Sequence, residues 1–271
     1  METFGRAGLV FDVRDHGPVD GEPVVLLHGF PQDASSWRDV EPLLHEAGLR
    51  TLAPDQRGYS PGARPARRAD YRAVELVDDV LALLDAAGLT SAHVAGHDWG
   101  GAVAWLLAAR YPERVRSLTV LSTPHPSALW HSLWNSRQAL RSWYMLFFQL
   151  PVIPEFMLAR RLEAALRRSG LPARFAAHNA QRMREPGALT GALNWYRALP
   201  FDRRTRLSPG SVPTTYIWSG QDRFFVKDAA LGTAAFVLGP YRYAELSATH
   251  WLPETHPGPV AALIVERVGA R

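Results

Sequence analysis

Gly96-His97-Asp98-Trp99-Gly100-Gly101 lies where a short apolar strand, Ser91–Ala95, gives way to a helix beginning near Trp99. A sharp strand-to-helix turn strains its central residue and leaves no room for bulky neighbours, which explains the glycines at 96, 100 and 101. Serine usually occupies the centre of such a nucleophile elbow; here it is Asp98. A carboxylate at that tip, against a helix N-terminus, is expected to stay ionised. The plainer alternative is an aspartate that merely caps the helix. Three other segments end predicted strands. His28-Gly29-Phe30-Pro31 follows Pro23–Leu27, Gly220-Gln221-Asp222 follows Thr214–Ser219, and His250 follows Tyr241–Leu246. Alone, each has an ordinary reading: a turn with a cis-proline, a turn aspartate, a packing histidine. Together they give nucleophile, acid and histidine in an order that places all three at one edge of one sheet.

The chemistry follows from the residue types. A carboxylate needs no base to activate it and can displace a leaving group at a saturated carbon, giving an ester on the enzyme. Histidine is then free to deprotonate water. The backbone amides of Phe30 and Trp99 can point at the oxyanion formed when that water attacks the ester.

Positioning these groups requires alternating strands and helices. Strands are predicted at Leu9–Val13, Pro23–Leu27, Arg50–Ala53, Ala92–Ala95 and Ser117–Leu121, each short and apolar enough to be buried on both faces. Asp70 is expected to cap a helix carrying Val74, Val77, Leu81 and Leu84 on one face, with Gly88 after its last turn. From 123 to 209 the strand signal gives way to helices near 127–149, 155–169, 172–184 and 187–198. Alternation resumes with Thr214–Ser219, a helix near 226–237, Tyr241–Leu246 and a helix near 258–268. The reading is an α/β core domain, residues 1–122 and 210–271, interrupted by a helical cap at 123–209 acting as a lid.

Composition narrows the function classes. The chain has 271 residues, 47% hydrophobic, with no cysteine, which excludes disulfides, thiolate metal sites and a cysteine nucleophile. No apolar run approaches the roughly 20 residues of a membrane span, and Met1 to Arg6 lacks a secretory pattern, so the expectation is a cytoplasmic protein with no membrane partner. The net charge of +4 is carried by arginine, Lys227 being the one lysine. Arg160, Arg161, Arg167, Arg168, Arg203, Arg204 and Arg206 read as solvated faces and a loop, and nothing suggests a nucleic-acid partner.

The chain resembles an α/β-hydrolase of the epoxide hydrolase branch over nearly its whole length, through His28-Gly29-Phe30-Pro31 and Gly96-His97-Asp98-Trp99-Gly100. Ser142 to Gln149 (SWYMLFFQ) and Asn194-Trp195-Tyr196-Arg197 resemble the family segments that carry two epoxide-activating tyrosines, here Tyr144 and Tyr196. The resemblance implies an α/β-hydrolase fold with a mostly parallel sheet and a helical cap after the sixth core strand. It implies that Asp98 attacks an apolar epoxide, that Tyr144 and Tyr196 bond its oxygen, and that His250, oriented by Asp222, drives water onto the ester to release a vicinal diol. No metal or organic cofactor is needed, and the protein acts as a monomer or homodimer. Phe30, Pro31, Trp99, Trp143, Phe147, Trp195 and Trp251 are expected to bind substrate. The other lid aromatics, among Trp130, Trp134, Phe148 and Phe156, are expected mostly to pack the lid onto the core. The short N-terminus departs from the family in leaving room for fewer leading strands. Haloalkane dehalogenase is the nearest alternative, although Phe30 lacks the side-chain donor found there; a hydrolase-fold protein that binds a ligand without turnover is the other.

Overall fold

The computed structural model describes residues 1–202 and 207–270; Arg203, Arg204 and Arg206 lie outside them. Eight strands form one sheet: β1 Thr3–Arg6, β2 Leu9–His16, β3 Glu22–Leu27, β4 Leu49–Pro54, β5 Ala92–His97, β6 Val115–Leu121, β7 Thr214–Ser219 and β8 Tyr241–Leu246. Their order is β1-β2-β4-β3-β5-β6-β7-β8, antiparallel at the β1/β2 and β2/β4 pairs and parallel beyond. Side chains alternate across the central strands and so build two cores. Val25, Leu27, Val94, Leu118 and Val120 face one way, while Val24, Leu26, Ala95, Leu121 and Ile217 face the other.

The helices on either side are α1 Glu41–Glu46, α2 Ala73–Ala86, α3 Trp99–Arg110, α10 Lys227–Gly232, α11 Leu252–Thr255 and α12 Pro257–Gly269. Between β6 and β7 the chain runs through α4 Pro126–Asn135, α5 Gln138–Arg141, α6 Trp143–Phe147, α7 Ile153–Arg168, α8 Ala173–Arg182 and α9 Ala188–Ala198.

Three local expectations are corrected. The sheet does have a leading strand, β1, whose pairing rests on Phe4 stacked on Phe11 and on a two-residue turn with both Ala7 and Gly8 at positive φ. The helix expected over 127–149 is three helices. Extended Ser136 turns its hydroxyl back to the Ser132 carbonyl and accepts from the Gln138 amide, competing with the helical ladder. Asp70 does not cap α2: it lies in a short 3-10 turn and pairs with Arg67. The first amide of α2, Ala73, instead donates to the Asp202 carboxylate, which follows α9 by four residues.

Candidate active site

Asp98 sits at φ 51°, ψ −122°, between β5 and α3, and its side chain makes no cap hydrogen bond to the helix. That backbone is strained for a residue with a Cβ, and its neighbours must be small. A Cβ on Gly100 would overlap the Leu27 carbonyl, and one on Gly29 would overlap Asp98 itself. The same close approach lets the Phe30 amide donate to Asp98 Oδ1 at 2.8 Å. Trp99 opens α3, so its amide has no intrahelical acceptor.

His250 Nδ1 bonds Asp222 Oδ2 at 2.7 Å, and its Nε2 lies 3.5 Å from Asp98 Oδ2. Asp222 is fixed in turn by the Phe224 and Phe225 amides, which donate to Oδ1. Helix α5 braces this loop: Arg141 donates to the Asp222 and Phe225 carbonyls, and Gln138 bonds the Phe224 carbonyl and Val226 amide. The His250 carbonyl accepts from Ser122 Oγ at 3.0 Å and lies 2.9 Å from His97 Nε2.

Electrostatics separates the roles. Burial pushes the His250 imidazole down, but the Asp222 and Asp98 carboxylates outweigh it and lift the group to about 10. Burial likewise pushes the Asp98 carboxyl up, yet His250 and the Phe30 amide hold it below its ordinary value. The free protein therefore carries an imidazolium between two carboxylates. Burial and the Asp98 charge raise the Tyr144 phenol; burial, Tyr144 and Asp98 raise that of Tyr196, with the Trp99 indole acting the other way. Both remain donors at neutral pH.

Asp98, His250, Tyr144 and Tyr196 line one cavity of about 570 Å³, the size of a small-molecule site. Of the residues expected to bind substrate, Phe30, Pro31, Trp143, Phe147 and Trp251 line it. Trp99 and Trp195 do not. Trp195 is buried with its indole donating to the Arg57 carbonyl, and half-buried Trp99 packs edge-on against Trp195 and Tyr196. Sequence reasoning missed Leu158, Leu162 and Leu166, which recur on one face of α7; that spacing alone does not tell a cavity wall from a packed core. It also missed the cations. Arg161 and Arg168 are exposed, as their solvated reading has it, and also line the cavity with Arg141 and Arg223. Trp130, Trp134 and Phe156 point outward instead of packing the helices onto the core, whereas Phe148 is buried.

The alpha/beta hydrolase fold family matches residues 22–257. AB hydrolase superfamily protein YfhM of Bacillus subtilis is 38% identical, covering 96% of this chain and 94% of that one. Epoxide hydrolase A of Mycobacterium tuberculosis is 34% identical over 91% of this chain and 90% of its own. The crystal structure of Epoxide Hydrolase A from Mycobacterium thermoresistibile superposes with a TM-score of 0.85 at 26% identity, covering 98% of this chain and 97% of that one.

Proposed function

The chain belongs to the α/β-hydrolase family, in the branch that holds the epoxide hydrolases, and from that premise we propose that it hydrolyses an apolar epoxide to a vicinal diol through an ester on Asp98. The observation that carries this reading is the pair of protonated phenols, Tyr144 and Tyr196, in the cavity that holds the carboxylate. An epoxide leaves poorly unless its oxygen receives a proton as the ring opens, and two phenols over a carboxylate meet that need.

Asp98 attacks a ring carbon, the C–O bond breaks, and the oxygen takes a proton from Tyr144 or Tyr196. The tyrosinate regains its proton from the His250 imidazolium, directly or through water. His250 is now neutral and, held by Asp222, takes a proton from water as the oxygen of that water attacks the Asp98 carboxyl carbon. The Phe30 and Trp99 amides hold the oxyanion. Collapse breaks the ester, the new carboxyl proton passes to the departing alkoxide, and Asp98 carboxylate and His250 imidazolium are restored with the diol released. No step calls for a metal or organic cofactor. The block from α4 to α9 acts as the lid, residues 123–209 by our reading, and a cytoplasmic location suits a small-molecule substrate.

Tyr144→Phe and Tyr196→Phe test the proposal, since each removes one donor and keeps the ring. Each should slow ester formation on the order of 10²–10³, by analogy with loss of one oxyanion donor, and leave ester hydrolysis much less affected. Diol and halide are followed separately over a panel of epoxides and haloalkanes. If both variants open epoxides at the parent rate while halide is released from the haloalkanes, the phenols are packing residues and the dehalogenase reading replaces this one.

A further inference from the structure

The mouth of the cavity opens onto a surface that the proposed chemistry does not explain. Ten of the seventeen exposed large apolar side chains among the described residues fall between 130 and 157. Trp130 is 56% exposed, Trp134 75%, Trp143 63%, Leu146 78% and Phe156 60%. They run from α4 through α5 and α6 to the head of α7, with α4 packed on α5 and α5 on α6. Trp143 and Met157 belong both to this surface and to the cavity lining, so the apolar face leads into the site. An apolar face of this extent on a protein marks a contact surface.

The charges around it select the partner. Among the described residues, thirteen arginines away from this face form ion pairs with acids, and seven others, Arg38, Arg68, Arg110, Arg160, Arg167, Arg184 and Arg267, do not. Arg137, Arg141, Arg161, Arg168 and Arg223, which border this face, are exposed and have no acid within ion-pair reach among the described residues. Of the two acids of α7, Glu155 pairs with Arg197, and Glu163 lines a different groove, toward α8, with Arg160, Arg167 and Arg184. A second copy docked through the same face would set two basic surfaces against each other. Exposed tryptophans on a face bordered by arginines that lack an acid partner match the headgroup region of an anionic bilayer, where indoles settle at the interface and guanidinium groups meet lipid phosphates. We infer that the face formed by α4 to α7 docks on an anionic lipid surface, with the cavity opening toward the bilayer so that an apolar substrate passes from lipid to Asp98.

Vesicle binding by the full chain tests this without requiring turnover. The protein should cosediment with vesicles of equimolar phosphatidylglycerol and phosphatidylcholine, and much less with phosphatidylcholine alone. Trp130→Ser with Trp134→Ser, or Arg161→Glu with Arg168→Glu, should weaken that binding on the order of tenfold or more. The tryptophan pair should leave turnover of a water-soluble epoxide unchanged, and brominated acyl chains should quench tryptophan fluorescence in the parent protein. Absence of binding to the anionic vesicles, or binding that both double variants retain, overturns the inference. So does a dimer in solution that the tryptophan pair dissociates, since a second copy would then cover the face.

Discussion

Asp98 and His250 lie 3.5 Å apart with opposite charges, so chemistry at one resets the proton affinity of the other. With Asp98 ionised, its charge and that of Asp222 lift His250 to about 10 against the effect of burial. Esterification removes the Asp98 charge, leaves Asp222 as the remaining counter-charge, and must lower His250. A base protonated in the free protein is thus released when it is needed. In single turnovers, ester formation should be flat across neutral pH, because Asp98 titrates below the ordinary carboxylate value. Ester hydrolysis should rise with pH along a curve whose midpoint lies below 10, read by stopped-flow tryptophan fluorescence; a midpoint at or above 10 would refute the coupling. His250→Gln should form the ester and stall, so that intact mass rises by the mass of the epoxide. A variant that turns over normally would remove His250 from the mechanism.

Among the elements, those easiest to read from sequence are those with one dominant cause. The strands β3 to β7 are apolar runs because the sheet buries both faces, and any run of that kind between turn signals has few other fates. Asp98, Asp222 and His250 follow strand ends, so their convergence at one sheet edge was readable from order alone, while their distances were not. Less was legible where distant partners decide. Thr3 to Arg6 carries a single large apolar residue and becomes a strand through Phe11 and through Arg6, which pairs with Glu75, Asp78 and Asp79 of α2. The cap of α2 comes from Asp202, 129 residues away, although Asp70 is nearer in sequence. Aromatic residues in a helical block read as packing, and no local pattern distinguishes Trp134 on the surface from Trp195 in the core. The long-range cap makes a test at this scale. Asp202→Ala should cost about 1 kcal/mol in a urea unfolding curve, the usual effect of losing a helix-cap acceptor, whereas Asp202→Asn, which keeps an acceptor oxygen, should recover most of it. Equal loss in both variants would mean that the charge and not the hydrogen bond matters.

At the scale of the molecule, the proposed lid is fastened to the core through a cleft separate from the cavity. Arg182 of α8 bonds Asp33 after β3 and Asp55 after β4, each at 3.0 Å, and His178 one turn earlier reaches Asp33 at 2.9 Å. The two carboxylates belong to the core, Arg182 and His178 to the proposed lid, and all four lie together in one cleft. Burial and the charge of Asp33 raise Asp55 to about 6, with Arg182 acting against them. A carboxyl raised in the folded state binds protons more tightly there than in the unfolded chain. Its contribution is therefore most favourable below its ordinary value near 4 and is eroded as pH climbs toward 6. Arg182→Ala removes the opposing cation, so Asp55 should rise further and the erosion should extend above 6. The variant should lose about 2 kcal/mol at pH 7.5, less than for a fully buried pair because the guanidinium is partly solvated, and distinctly less at pH 5, where Asp55 is protonated. Proteolysis within α7 and α8 should quicken in parallel, since the lid loses two of its anchors while the sheet keeps its core. Denaturant midpoints at the two pH values decide it: an equal loss at both would show that Arg182 acts by packing alone, and no loss at either would show that the lid is held by its other contacts.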